Sequence, residues 1–241
     1  MAAEGAARSN AVRQAADSLL GEYFRRWMHL VPVELHRLSA TLRTEVVRST
    51  SLKGEAVLMP TRDGFKILVN SSSPVGRYRA SVAHELAHTL FYDGESASVP
   101  VRRISYTRRE EHFCFDVARH VLAPKQHLDA IGVFDESDPN KILAELTGRL
   151  LLSRPWAARV MLADYALAKG IAGRWKRTEQ GWTPEYGSSS ASPDLSQRER
   201  RKLREAVGKR LNSGTEPLGS MRIASIEEKS GEGIFVLIAE G

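Results

Sequence analysis

The chain has 241 residues, 42% of them hydrophobic, and 35 Lys and Arg against 29 Asp and Glu give a formal charge of +6. That is long enough for one cored domain with a small appendage, and no run of about eighteen apolar residues offers a membrane span. One cysteine, Cys114, excludes an internal disulfide framework and suits a reducing compartment, while the charge excess is too modest to identify a nucleic-acid binder.

Residues 1–10 are small and polar, and they lack the basic head and apolar run of a secretory signal, so the expected location is cytoplasmic. From Ala11 to Leu30, Val12, Ala15, Leu19, Leu20, Tyr23, Phe24 and Trp27 recur at helical spacing and predict a first amphipathic helix. A second, short helix opened by proline follows over residues 33–42, with His36 on its polar face. Strand patterns come next at 45–47 and 55–59. The latter meets Phe65–Asn70 through the Arg62-Asp63-Gly64 turn, so 55–70 reads as a hairpin.

Residues 81–92 read SVAHELAHTLFY and contain His84-Glu85-Leu86-Ala87-His88. Residues four apart share a helix face, so both imidazoles can reach one ion. Glu85, one step round, stands where a base acting on a metal-activated water belongs. Two histidines at this spacing also occur as ordinary half-buried residues. The apolar body supplied by Val82, Leu86, Leu90 and Phe91 fits a helix beneath a cleft.

Catalytic zinc takes three protein ligands and a water. The third is expected from the next helix, 110–122, where Glu111 lies one turn before Cys114 and shares its inward face. Glu110 is expected to point to solvent, and Cys114 to be a small core residue. The link between the two helices, residues 93–109, is basic. Tyr92, Tyr106, His112 and His120 are the candidates for stabilising an oxyanion, with no sequence ground for choosing among them.

These residues resemble the ImmA/IrrE metallopeptidases, whose members carry an AHELAH-type helix and then an E-E-x-x-C-(D/N)-x-F-A-x-x-L-L-x-P segment. The matching residues here are Ala83 to His88, then Glu110, Glu111, Cys114, Ala118, Val121, Leu122 and Pro124. Phe115, Val117 and Ala123 depart from the pattern at packing positions. The resemblance implies a mostly helical, zincin-like α+β core with a small antiparallel sheet, and Zn2+ held by His84, His88 and Glu111. It implies Glu85 as catalytic base and a helix-turn-helix repressor as substrate, cut to relieve repression in a stress or mobile-element response. The hairpin's edge strand could align an extended peptide.

Helical patterns at 140–150 and 153–168 flank a short turn, but Trp156, Val160, Met161 and Leu162 make the second too apolar for a groove-reading face. The peptidase domain is therefore set at 1–168, with a C-terminal α/β appendage at 169–241. The appendage contains strands around 175–182, a Gly/Ser-rich linker near 187–194, a basic helix at 196–211 and a terminal hairpin turning at 228–231. The expected partner is a protein substrate, with nucleic acid not favoured and no membrane. The rival reading is a regulator of the same fold that acts by binding, and another is amide hydrolysis on a small molecule.

Overall fold

The computed structural model describes residues 2–28, 30–93, 99–133, 138–164, 170–184, 190–191, 196–213, 221–227 and 233–240. The architecture is α+β, mostly helical with small sheets, as the patterns predict. The chain divides into two compact units, Met1–Ala130 with Arg149–Leu152, and Ile131–Gly148 with Ser153–Gly241. Of the helices predicted at 140–150 and 153–168, grouped with the metal helices in the sequence reading, residues 140–148 and 153–164 fall in the second unit, while 165–168 lie outside the described residues.

In the first unit, α1 (Ala2–Trp27) buries Val12, Ala16, Leu19, Leu20 and Tyr23 along one stripe. It starts nine residues earlier than the apolar periodicity does, because alanines at 2, 3, 6 and 7 favour helix without any apolar face. The short helix α2 (Leu35–Thr41) leads into β1 (Thr44–Ser49), β2 (Ala56–Thr61) and β3 (Gly64–Asn70). The predicted hairpin β2–β3 is antiparallel, and β1 joins the other side of β3 in parallel, leaving β2 an edge strand. Gly64 is obligatory in the turn. Its φ is +139°, and a Cβ there would meet the Arg43 carbonyl oxygen at 2.1 Å.

Helix α3 (Val75–His88) begins more than a turn before the predicted segment, directly after Pro74, whose carbonyl accepts the Tyr78 N–H at 2.8 Å. A 3-10 turn, Thr89–Phe91, follows its end at His88. The two-residue strands β4 (Tyr92–Asp93) and β5 (Val101–Arg102) pair antiparallel and bring the chain back toward α4 (Arg108–Leu122). Thr107 caps α4, its Oγ1 accepting the Glu110 N–H at 3.2 Å. Two acidic residues in the first turn of α4 suit the helix dipole. Helix α4 packs on both α3 and α1 through Cys114, Val117, Ala118, Val121 and Leu122, all buried. The region after Pro124 opens with the short helix α5 (Lys125–Ala130), since proline ends one helix but can start the next.

The second unit contains α6 (Pro139–Gly148), α7 (Arg154–Asp164), β6 (Gly170–Thr178), β7 (Gly181–Pro184), β8 (Ser190–Ala191), α8 (Gln197–Ser213), β9 (Met221–Glu227) and β10 (Gly233–Glu240). Its sheet runs β7-β6-β10-β9 with β8 on β6, every pairing antiparallel. Of the predicted linker, Ser190 and Ala191 pair with β6, while 187–189 and 192–194 lie outside the described residues. The predicted turn at 228–231 also lies outside them. Ser196 and Glu199 form a reciprocal capping box at the start of α8, whose Val207 is buried while Arg198, Arg201, Lys202 and Lys209 are exposed. Among the described residues no helix is long and apolar enough to cross a membrane.

Candidate metal centre

Helices α3 and α4 together bring His84, His88 and Glu111 to one point. His84 Nε2 and His88 Nε2 are 3.2 Å apart, His84 Nε2 and Glu111 Oε2 3.2 Å, and His88 Nε2 and Glu111 Oε1 3.1 Å. A zinc ion with bonds of about 2.0–2.1 Å has tetrahedral ligands about 3.3 Å from one another. The three donors therefore already form nearly one face of that tetrahedron. The Glu111 side chain is 27% exposed, so the cluster opens toward solvent on that side instead of being sealed like a structural site.

The protonation states suit ligation. Burial, then the neighbouring His88, holds the His84 imidazole down at about 4, so it is neutral at pH 7. Burial pushes Glu111 up, but the Tyr106 hydroxyl and the two histidines outweigh it and leave the carboxyl below its usual range. Burial raises Glu85, only partly offset by the neighbouring His88 imidazole and by the Leu58 N–H of β2 that its carboxylate accepts. Glu85 thus stands between the edge strand and the trio with the raised basicity a proton acceptor needs. His84 Nδ1 is buried with no hydrogen-bond partner. Its ring lies 4.2 Å, centroid to centroid, from that of Phe115, a residue assigned only a packing role by its sequence position.

Glu110 does not point to solvent. It is 3% exposed, and its Oε1 accepts from His88 Nδ1 at 2.7 Å, which leaves the Nε2 lone pair for the open side. Arg102 of β5 closes on the same carboxylate, giving the buried charge its counter-ion. The helical period contained this signal: Glu110, Cys114, Val117 and Val121 form one buried stripe, and Glu110 sits on it as squarely as Glu111. Arg102 carried no such mark. It is a loop residue placed by the β4–β5 pairing, and its guanidinium lies 5.5 Å from the Tyr92 ring centre and 5.7 Å from that of Tyr106.

His88, Glu110 and Cys114 form a second group close enough to hold an ion, with Cys114 Sγ 3.4 Å from His88 Nδ1. Burial, reinforced by the Glu110 and Glu111 charges, pushes the Cys114 thiol far up, so it stays protonated as the expected core residue. Of the four oxyanion candidates, Tyr106 comes to the trio, bonded to Glu111 and with its ring 6.5 Å from that of His88. Tyr92 is bonded to Arg102, His112 is exposed, and His120 lies beside Arg119 at 3.2 Å.

No protein-family model and no curated protein matches the chain, so the ImmA/IrrE resemblance rests on the motif residues. A solved Mycobacterium tuberculosis transcriptional regulator is similar in structure, with a TM-score of 0.52 and 12% identity, over 95% of this chain and 75% of that one. At such identity the likeness concerns the fold. The chain thus has a fold found in a transcriptional regulator and a group of His, Glu and Cys side chains able to bind a metal ion.

Proposed function

We propose that the chain is a zinc-dependent endopeptidase acting on a protein substrate, and that the substrate is a helix-turn-helix repressor of the kind the ImmA/IrrE resemblance implies. The observation carrying this reading is the convergence of His84, His88 and Glu111 with Glu85 alongside. A purely structural site has no use for a neighbouring carboxylate of raised pKa. Zinc held by the three side chains would supply Lewis acidity at the scissile carbonyl and bring a water's pKa down to about 7. Glu85 takes the proton of the attacking water and delivers it to the leaving amine. Tyr106, mostly exposed and bonded to Glu111 beside the trio, would donate to the oxyanion. The edge strand β2, whose Leu58 N–H reaches Glu85, offers main-chain pairing to an extended peptide beside that base.

The likeness to a transcriptional regulator favours a second reading, a non-catalytic regulator of the same fold that works by binding protein or DNA. Glu85→Gln separates the two. Under the peptidase reading the variant keeps stoichiometric zinc but loses about 10²- to 10⁴-fold in cleavage of a co-expressed repressor, read by immunoblot and reporter output. Equal reporter output and an intact repressor with both wild type and variant would overturn the peptidase and leave the binding regulator.

A further inference from the structure

Five residues before His84, α3 carries a buried cation with no counter-ion among the described residues. Arg79 is 7% exposed. Its Nη2 donates to the Val33 carbonyl at 3.1 Å, its Nε has no acceptor, and the nearby Tyr23 phenol, whose pKa burial raises, is neutral at pH 7 and gives it no counter-charge. Burial holds the guanidinium down at about 10. The second basic group nearby supplies no compensating charge: His127, also buried, is pushed down by burial and further by the charge of Arg79. A buried charge is ordinarily paired, because leaving water unpaired is costly.

Beside Arg79 lies a cavity of about 280 Å³. Its walls are largely apolar, with Val33, Leu35, Val46 and Val82 among them. The acid lining it, Glu34, is already engaged by Arg37 and His36. We propose that this cavity binds a small carboxylate, whose charged end meets Arg79 and whose short apolar body rests against Val33, Val46 and Val82. A phosphate would call for several donors and a polar wall, whereas one planar guanidinium over apolar side chains matches a monocarboxylate. The volume, just under the usual range of about 300–1,000 Å³ for small-molecule sites, restricts the ligand to a few carbons. The inference stands apart from the metal centre and does not require the chain to be a peptidase.

The test is thermal unfolding of the full chain titrated with sodium butyrate, against sodium chloride at equal ionic strength and against inorganic phosphate. Butyrate should raise Tm saturably, by about 5 °C well above its dissociation constant, and chloride should not. Arg79→Gln and, with Arg79 left in place, Val46→Phe should each abolish the shift, so a folding defect in the first does not decide the matter. Glu111→Gln should retain it, which separates this cavity from carboxylate capture by the metal centre. Saturation-transfer NMR of butyrate on wild type and Val46→Phe gives a readout independent of stability. No shift beyond chloride, an equal shift in Val46→Phe, its loss in Glu111→Gln, or a larger response to phosphate would each overturn the assignment.

Discussion

The two nitrogens of His88 face two different worlds. On the Nε2 side stand His84 and Glu111, partly open to solvent and with no cation among the described residues paired to the Glu111 carboxylate. On the Nδ1 side stand Glu110 and Cys114, fully buried, with Arg102 closed over the carboxylate and the thiol held protonated. Each side presents three candidate donors within 4.8 Å of one another. What distinguishes them is the charge already in place. A guanidinium already neutralises the carboxylate on the Nδ1 side, whereas the Nε2 side leaves its negative charge to be matched by something else. The same imidazole is therefore a ligand in one direction and an anchored donor in the other, the arrangement that fixes a tautomer for metal binding.

Breaking the Nε2 side should have the largest effect on metal retention. Glu111→Gln and His84→Ala each remove a donor, and zinc affinity should fall by more than about 100-fold, beyond the range of outer-shell losses. Competition with a chromophoric chelator measures this directly. Stoichiometric zinc bound to Glu111→Gln with wild-type affinity would show that the trio is not the site. Breaking the Nδ1 side should cost less. Glu110→Gln keeps a hydrogen-bond acceptor for His88 but removes the charge and strands Arg102, so affinity should drop about 10- to 100-fold with the stoichiometry unchanged. Cys114→Ser should change it by less than about threefold, because a protonated core thiol contributes no ligand. A Cys114→Ser effect as large as that of Glu111→Gln would place the ion on the other side of the ring.

The two sides were unequally legible in the sequence. His84 and His88 are four apart on one helix, and Glu111 is a turn from Cys114, so local geometry alone brought the Nε2 side within reach of the sequence. The helices themselves, the hairpin and the terminal strand pair were also marked by apolar period and turn residues. The Nδ1 side depends on a tertiary event. Arg102 reaches Glu110 because β4 and β5 pair across the link between the helices, and two-residue strands leave no periodic trace. Without that cation a buried Glu110 would carry an unpaired charge, which is why solvent was the reasonable expectation for it. The parallel placement of β1 against β3 was hidden for the same reason: strand pattern reveals pairing faces but not partners.

His127 provides the control for both sides of His88, and the smallest of the expected effects. It too is a buried imidazole, but among the described residues no carboxylate faces it, and burial followed by the Arg79 charge lowers its pKa below 6.5. The unfolded chain then binds more protons than the folded one as pH drops below about 6.5, so this residue's contribution to stability is complete above that pH and is lost as pH falls through the folded value. In His127→Phe the ring packing against Phe24, 5.6 Å between centroids, can persist while the titration disappears. Denaturant unfolding of both chains between pH 7.5 and 5 should show the wild type losing stability more steeply, by at most about 1.4 kcal/mol per pH unit. Taking the difference between the chains cancels the acid response of His84, which both share. Parallel curves would mean that His127 acquires a partner on protonation, and the contrast with the carboxylate-anchored His88 would then fail.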